Sequence, residues 1–405
     1  MNKKRIPVAE LRPGMYVAEL DRPWVGTPFE FQGFLITSAT QIDALKEYCK
    51  TVFIDDDQTH DVTGASLRQG AEADIESEWA AESRLKLVPV EQELSAAKEV
   101  YSACTESIQT SLETLHLQGE LDAGPLTREI AGMTKSIERS PDAMMLLFKM
   151  KQKTGEEFNR AVDTSIHMIT FGRFLRFSDE RLELLGLAGM LLDIGKTKLP
   201  DAILQKKGAL SAEEYELAKT HVTHSVELIR AAPGLPKGLE DIVIQHHERV
   251  NGSGYPQGLR GSQISIEGAI AGLVDSYSAL TSARPHAEPI SPSIALSQLH
   301  KLRGTLFDEK LVEQFIQCIG IFPVGSAVEL NTGEVGFVIA QNLAHRLHPR
   351  VVLILDRDLK PMPPKVLDLD KEPQAAPDEP YKIRRTLPKA KLPIDFEKLL
   401  SQVAF

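Results

Sequence analysis

Apolar and polar positions follow three different patterns along this chain, and the first of them predicts a small mixed domain. Residues 1–57 combine short apolar runs with Pro and Gly. Within them, residues 15–17 and 51–55 are typical of strands, and residues 41–50 of a short helix. We therefore predict an amino-terminal α+β domain over residues 1–57. Residues 58–90 are polar and acidic, which is typical of a solvated linker.

Helical periodicity dominates the middle of the chain. Residues 91–139 contain few helix breakers apart from Gly119 and Gly124-Pro125, so they predict two helices joined by a turn. This helical connector could serve as a linker or support a homodimer. Residues 140–320 continue the helical pattern, with prolines at the expected boundaries and a leucine-rich helix that ends at Gly195. They predict an all-α domain.

The pattern changes again after residue 320. Three apolar runs of strand length follow, at residues 328–330, 336–339 and 351–355, and Asn331-Thr332-Gly333 is a good hairpin turn. We predict a small β appendage over residues 321–370. Residues 371–405 form a proline-rich tail, for which we predict a short terminal helix. The predicted fold class is multidomain α+β, with an all-α domain between a small α+β domain and a β appendage.

The composition narrows the range of partners. The chain has 405 residues, 42% of them hydrophobic and 25% charged, as in an ordinary soluble protein of two or three domains. A net charge of −11 disfavours binding to nucleic-acid polymers, although a basic cleft could still hold an anionic nucleotide. No apolar run is long enough to span a membrane. Three cysteines without paired spacing suit a reducing cytoplasm, where we expect the protein.

The chemistry of the chain is concentrated in its helical part. Two adjacent histidines, His246 and His247, follow the apolar segment 239–245 and lead into a loop rich in turn-forming residues, which holds Asn251, Gly252, Gly254, Tyr255 and Pro256. Further candidate ligands lie at Asp193, His221 and Asp275. Histidines and aspartates on helices that converge are the usual material of a metal centre.

Four longer segments resemble the HD-GYP family of HD-domain metal phosphohydrolases, which degrades the bacterial second messenger cyclic di-GMP. They are LLDIGKTKLPDAIL at 191–204, LSAEEYELAKTHVTHSVELI at 210–229, HHERVNGSGYPQGLRG at 246–261 and AGLVDSYSALTSARPH at 271–286. The start of the chain resembles the amino-terminal domain often found ahead of one HD-GYP subgroup. The resemblance implies that residues 140–320 are an HD-GYP domain and that its cofactor is a divalent metal such as Fe or Mn.

The resemblance also implies roles for individual residues. Asp193 matches the carboxylate that bridges two ions, and Asp275 matches a ligand of the first ion. His221, His246 and His247 match the ligands of the second ion. The loop that holds Asn251, Gly252, Gly254, Tyr255 and Pro256 matches the family's ligand loop.

Three further positions carry charges that the resemblance connects with metal or phosphate. Lys196 and Arg284 match residues that contact the phosphates of the nucleotide. Glu156 matches a glutamate that supports a third metal in some members of the family. Here Glu156 could instead form a salt bridge with Arg160 at i, i+4, or lie exposed at the surface.

Two ligand histidines of the family are replaced in this chain. Leu192 stands before Asp193 where the family has histidine, and Arg160 stands at the other position. Arginine has a fixed positive charge and no acceptor atom, so it could occupy the vacant metal position and pair with Asp275 or Asp193. His167 is about 10 Å further along the helix than Arg160, too far to replace the lost ligand. We therefore expect one bound ion at most, or none.

Three functions remain open after these observations. The degenerate first metal site favours a protein that binds cyclic di-GMP or its linear product pGpG with weak or no hydrolysis. The first alternative is an active phosphodiesterase that produces pGpG or GMP. The second is a scaffold that binds no nucleotide and contacts an unidentified protein partner. The intact loop and Lys196 favour nucleotide binding over the scaffold.

Overall fold

The computed structural model describes residues 3–12, 15–21, 34–36, 39–55, 88–151, 157–206, 208–282, 289–342, 345–377 and 379–387. The chain divides into two compact units. The first comprises Met1–Lys86 with Leu343–Leu347, and the second comprises Leu87–Asn342 with His348–Phe405. None of the described helices is long and apolar enough to cross a membrane.

The first unit contains an antiparallel sheet of four strands and one helix. The strands are β1 (Lys3–Pro7), β2 (Tyr16–Leu20), β3 (Phe34–Leu35) and β4 (Thr51–Asp55), and their order is β1-β4-β2-β3. Helix α1 (Ala39–Tyr48) lies between β3 and β4 in the chain. Val17, Leu45 and Val52 are fully buried in a common core. The predicted α+β character is confirmed, and β1 and β3 are additional strands that the apolar pattern did not single out.

Most of the second unit is helical, as predicted. Its helices are α2 (Val90–Gln118), α3 (Gly124–Arg139), α4 (Pro141–Lys151), α5 (Glu157–Phe174), α6 (Asp179–Leu191), α7 (Asp201–Leu204), α8 (Ala212–Lys219), α9 (His221–Ala231), α10 (Leu239–Gln245), α11 (Ile266–Thr281), α12 (Pro292–Lys301) and α13 (Glu309–Ile319). Helix α6 covers most of the leucine-rich segment but ends at Leu191, four residues before the predicted end at Gly195.

The two helices of the predicted connector pack into the core of the all-α domain. Along α2, the apolar residues Ala97, Tyr101, Cys104 and Ile108 recur at helical spacing, and each is at most 2% exposed. They belong to the same hydrophobic core as the helices that follow residue 140. The apolar face of the connector is therefore covered by its own chain. A homodimer through these helices stays a prediction.

The second unit ends in an antiparallel sheet of five strands with the order β11-β5-β6-β7-β8. Its strands are β5 (Ala327–Leu330), β6 (Val335–Ala340), β7 (Arg350–Leu355), β8 (Pro361–Asp368) and β11 (Ile383–Leu387), while β9 (Gln374–Ala376) and β10 (Glu379–Pro380) form a separate pair. Gly333 adopts φ 88° in the predicted hairpin turn.

The sheet extends beyond residue 370, into the segment that we predicted to be a proline-rich tail. Strand β11 pairs with β5, and β9 pairs with β10. Pro373, Pro377 and Pro380 lie at or beside the ends of the short strands, where proline is tolerated. Because a high proline content indicated an irregular segment, the sequence pattern did not predict these strands. The terminal helix that we predicted lies outside the described residues.

Candidate metal centre

Four predicted ligands converge at one place in the second unit. Asp193 follows the end of α6, His221 begins α9, and His246 and His247 follow α10. One potential ligand atom from each of these residues lies within 4.8 Å of the others. Residues that span more than fifty positions of the chain thus form a compact cluster of one carboxylate and three imidazoles.

Hydrogen bonds orient two of the imidazoles in this cluster. Nδ1 of His221 lies 2.7 Å from the carbonyl oxygen of Ala218, and Nδ1 of His246 lies 2.5 Å from that of Val243. A ring nitrogen beside a carbonyl carries the proton, so Nε2 of each ring keeps its lone pair.

These lone pairs test whether the cluster fits a metal ion. Nε2 of His246 is buried and has no hydrogen-bond partner among the described residues. Nε2 of His221 lies 3.4 Å from Oδ1 of Asp193. A buried polar atom without a partner is costly, and a cation would satisfy it. The donor set of nitrogen and carboxylate oxygen therefore fits one divalent ion.

The histidines of the cluster are held in the neutral form that binds metals. Burial lowers the pKa of His246 to about 4 and the pKa of His247 to about 2. Burial also lowers the pKa of His221, although Asp193 opposes the shift. Each ring therefore keeps one proton at neutral pH and leaves its other nitrogen open to a metal ion.

A tight turn after α6 places Asp193 in the cluster. The hydroxyl of Ser225 accepts from the backbone N–H of Gly195 at 2.8 Å and donates to the carbonyl of Leu192 at 2.9 Å. A Cβ atom on Gly195 would lie 2.1 Å from the carbonyl oxygen of His221, so only glycine allows this approach. Ser225 was not among the predicted site residues.

The carboxylate of Asp193 is compensated by two cations. Nζ of Lys196 lies 2.6 Å from its Oδ2, and Nη2 of Arg160 lies 3.7 Å from the same oxygen. Burial raises the pKa of Asp193, but Lys196 and Arg160 outweigh this effect and hold it well below the usual value. Lys196, for which we predicted a phosphate contact, is thus paired with Asp193 in this structure.

Arg160 and Leu192 are the two positions at which the resemblance implies histidines. Nη2 of Arg160 lies 2.5 Å from Oδ1 of Asp275, which confirms the expected pairing. Burial raises the pKa of Asp275, but Arg160 lowers it to about 2. Leu192 is 2% exposed and offers no lone pair. A guanidinium therefore compensates Asp275, and these residues do not fit a second metal ion.

A cavity of about 90 Å³ opens beside this ion pair. Its polar wall includes Arg160, Asp193, Lys196 and Asp275. Its apolar wall includes Leu192 and two residues of the connector helix α2, Ile108 and Leu112. The sequence pattern gave no reason to place α2 at the site, because its apolar residues have the spacing of any buried helix.

The predicted ligand loop is fixed by one buried carboxylate. Glu248 is 4% exposed and accepts hydrogen bonds from the backbone N–H groups of Gln257 (2.7 Å), Gly258 (3.2 Å) and Leu259 (2.9 Å). Such charge-assisted bonds hold a loop firmly. We did not predict this role, although a carboxylate directly after His246-His247 in the sequence was a signal for it.

The other loop residues complete the turn. Oδ1 of Asn251 accepts from the backbone N–H of Ser253 at 3.0 Å, and Gly252 adopts φ +80°. A Cβ atom on Gly254 would lie 2.5 Å from the carbonyl oxygen of His247, so the loop passes close under the histidines. The bond between Tyr255 and Pro256 is cis, and the ring of Tyr255 stacks on His247 with centroids 4.7 Å apart.

Two other histidines of the second unit lie outside this cluster, and two predicted positions cannot be compared with it. Glu156 and Arg284 fall outside the described residues, so their predicted roles stay predictions. His167 is buried, with Nδ1 2.9 Å from Oδ1 of Asp163, and is not part of the cluster. His224 is half-buried, and its Nδ1 lies 3.3 Å from Oε2 of Glu227.

Comparisons with known proteins identify the family of this chain. An HD domain model matches residues 143–311, and a model described as a domain of unknown function (DUF3391) matches residues 3–126. A cyclic di-GMP phosphodiesterase of Pseudomonas aeruginosa is 30% identical over 374 residues, which are 92% of this chain and 90% of that protein. The chain belongs to the HD-GYP family.

Other HD-GYP relatives match over shorter segments. A cyclic di-GMP phosphodiesterase of Thermotoga maritima is 40% identical over 132 residues, which are 32% of this chain and 36% of that protein. A 3'3'-cGAMP-specific phosphodiesterase of Vibrio cholerae is 33% identical over 141 residues, which are 35% of this chain and 27% of that protein. The relatives are thus named for cyclic dinucleotides that contain guanine.

Proposed function

We propose that this HD-GYP protein binds cyclic di-GMP or its linear product pGpG and hydrolyses it weakly or not at all. One observation carries the proposal: the guanidinium of Arg160 lies 2.5 Å from Asp275 and 3.7 Å from Asp193. A permanent cation stands between two carboxylates that would otherwise attract a metal ion. The site thereby keeps a positive charge but loses a place for water activation.

Asp193, His221, His246 and His247 would hold the one divalent cation that the site accepts. When bound, such a cation polarises a phosphoryl oxygen and lowers the pKa of a water molecule. Two-metal enzymes stabilise both the attacking and the leaving oxygen of the displacement. In this chain one half of that arrangement is replaced by Arg160, which offers charge and hydrogen-bond donors but cannot activate water. We therefore expect the hydrolysis of cyclic di-GMP to be slow or absent.

Binding of a phosphodiester is supported by the cations along the cavity. Lys196 and Arg160 both line it, and Nε of Arg160 has no hydrogen-bond partner among the described residues. The positive charges of these two side chains would attract a phosphate group that enters the cavity. The loop anchored by Glu248 stays in place without a metal, because its hydrogen bonds come from the protein.

The proposal is tested with protein purified without oxygen and loaded in turn with Fe(II) and Mn(II). Metal content, product chromatography with cyclic di-GMP, and equilibrium dialysis with cyclic di-GMP and pGpG are measured on the same preparation. We expect no more than one ion per chain, binding of at least one nucleotide, and little product. Many turnovers per chain would show that the protein is an active phosphodiesterase. If neither nucleotide binds, the protein-interaction scaffold is the remaining function.

A matched pair of variants shows whether the cluster holds the ion. His246→Gln removes a buried imidazole of the cluster, whereas His224→Gln changes a half-buried histidine outside it. We expect the first variant to lose its metal and the second to keep it. Equal metal content in both variants would contradict the assignment of the cluster.

A further inference from the structure

Three aromatic rings form a series that leads away from the metal cluster. His247 stacks on Tyr255 with ring centroids 4.7 Å apart and an angle of 25° between the planes. Tyr255 in turn meets the ring of Tyr215 at 6.4 Å and 80°. Tyr215 belongs to α8 and is 48% exposed, so one large aromatic side chain is left partly uncovered at the outer end of the series.

A lysine accompanies the outer two rings. Nζ of Lys219 lies 4.8 Å from the ring centroid of Tyr215 and 5.4 Å from that of Tyr255. Its ammonium group also contacts Oε1 of Glu216 at 2.6 Å. Tyr215 and Lys219 are one helical turn apart, so they project from the same face of α8. The start of that helix is fixed by a capping box between Ser211 and Glu214.

We propose that Tyr215 and Lys219 form the surface that recognises a guanine base of the bound nucleotide. This inference rests on the proposed function, because it names the part of the protein that reads the base. An exposed aromatic ring at the outer end of a ring series that begins at the metal cluster provides a stacking surface for a base. An ammonium beside it matches the O6 and N7 acceptors of guanine.

The same chemistry discriminates against adenine. Adenine keeps the N7 acceptor but carries an N6 amino group, which is a donor, where guanine has O6. An ammonium has three donors and no acceptor, so it loses a partner and faces another donor. Tyr215 contributes to the binding of either base, because stacking does not depend on the identity of the base. Lys219 therefore contributes selectivity, and Tyr215 contributes affinity.

The position of the surface suits one nucleotide. If a phosphate binds at Lys196 and the histidine cluster, the attached ribose and base extend away from the cluster. Tyr255 spans this direction, because it touches His247 on one side and Tyr215 on the other. A base that stacks on the exposed face of Tyr215 would then lie two rings away from the cluster.

The test compares the affinity of the full chain for cyclic di-GMP and cyclic di-AMP by equilibrium dialysis. We expect Tyr215→Ala to weaken both ligands about tenfold, in the range typical of base stacking. Lys219→Met should weaken cyclic di-GMP about tenfold and leave cyclic di-AMP unchanged. Leu217→Ala is the matched control, because Leu217 lies on the same helix and is 41% exposed. It should bind both ligands as the wild type does.

One further variant and two control measurements distinguish failure of this inference from failure of the proposed function. Tyr215→Leu keeps the apolar bulk but removes the aromatic face, and the thermal midpoint and metal content show whether each variant keeps its fold and cluster. If the wild type binds neither nucleotide, the proposed function fails and this inference fails with it. If the wild type binds cyclic di-GMP and the folded Tyr215 and Lys219 variants bind it equally well, this inference alone is overturned.

Discussion

The guanidinium of Arg160 lies 2.5 Å from Oδ1 of Asp275, so a side chain of α5 and a side chain of α11 are joined by an ion pair. In the family resemblance the same two positions both serve the first metal ion. The side-chain cation of Arg160 therefore holds α5 and α11 together, at the place where the resemblance implies a metal ion. The proposed loss of hydrolysis rests on this replacement of a metal ion by a side-chain cation.

Restoring both histidines tests this explanation. We expect the double variant Arg160→His, Leu192→His to raise the metal content and the rate of cyclic di-GMP hydrolysis together, because both missing ligands return. Metal analysis and product chromatography on protein loaded with Mn(II) provide the measurement. Leu192→His alone is the control, since Arg160 then still repels the ion. An unchanged metal content in the folded double variant would show that the defect lies elsewhere.

Gly195 provides a test of the turn that places Asp193. We expect Gly195→Ala to lower the metal content and to destabilise the protein by about 1–3 kcal/mol, because the new methyl group would overlap the carbonyl oxygen of His221. Gly132→Ala is the control. Its Cβ would lie 3.9 Å from Val100 in ordinary contact, and alanine in a helix is favoured over glycine by about 1 kcal/mol. Thermal melting should move in opposite directions for the two variants.

Glu248 tests the importance of the loop for nucleotide binding. Glu248→Ala removes the acceptor of three backbone N–H groups, and each hydrogen bond to a charged group contributes about 1.5–3 kcal/mol. We expect a loss of cyclic di-GMP affinity of at least tenfold in equilibrium dialysis. Glu227→Ala, at an exposed glutamate, serves for comparison and should retain wild-type affinity. Equal affinities would mean that the loop is not part of the binding site.

A buried ion cluster away from the metal centre gives a pH-dependent prediction. Asp163 is fully buried next to His167 and Lys149, and although burial raises its pKa, these two neighbours lower it below the usual value of about 4. A lowered pKa in the folded state stabilises the protein above pH 4, and this contribution is lost as the pH falls through the folded pKa.

The variant Asp163→Asn should therefore lower the free energy of unfolding by about 3 kcal/mol at pH 7, as for a broken buried ion pair. The difference from the wild type should shrink below about pH 4. Denaturant titrations followed by circular dichroism at several pH values measure it. Asp358→Asn, on an exposed turn, should show neither effect. A deficit that is constant from pH 3 to pH 7 would exclude the ion cluster as its cause.

Much of the architecture could be predicted because it depends on local patterns. The leucine-rich periodicity of α6 and the turn at Asn331 to Gly333 are both present in the structure close to their predicted places. The cluster of Asp193 with His221, His246 and His247 followed from the resemblance, because a metal centre constrains the types and spacing of its ligands.

Other features could not be predicted, because they depend on long-range contacts. The pairing of β11 with β5 joins residues about fifty positions apart, and the prolines around it indicated a tail. The hydrogen bond from Gly195 to Ser225 and the acceptor role of Glu248 depend on how loops meet in space. Single polar residues of this kind have no periodic signature.

The connector helix α2 supplies Ile108 and Leu112 to the wall of the cavity next to Arg160, although it precedes the residues that match the HD domain. A shortened chain that begins at residue 140 would lack this wall and would expose Leu192 to solvent. The ligands that such a shortened chain binds would then be selected by an open groove and not by the cavity of the full chain. A shortened version of this protein that is meant to keep the closed cavity should therefore include α2.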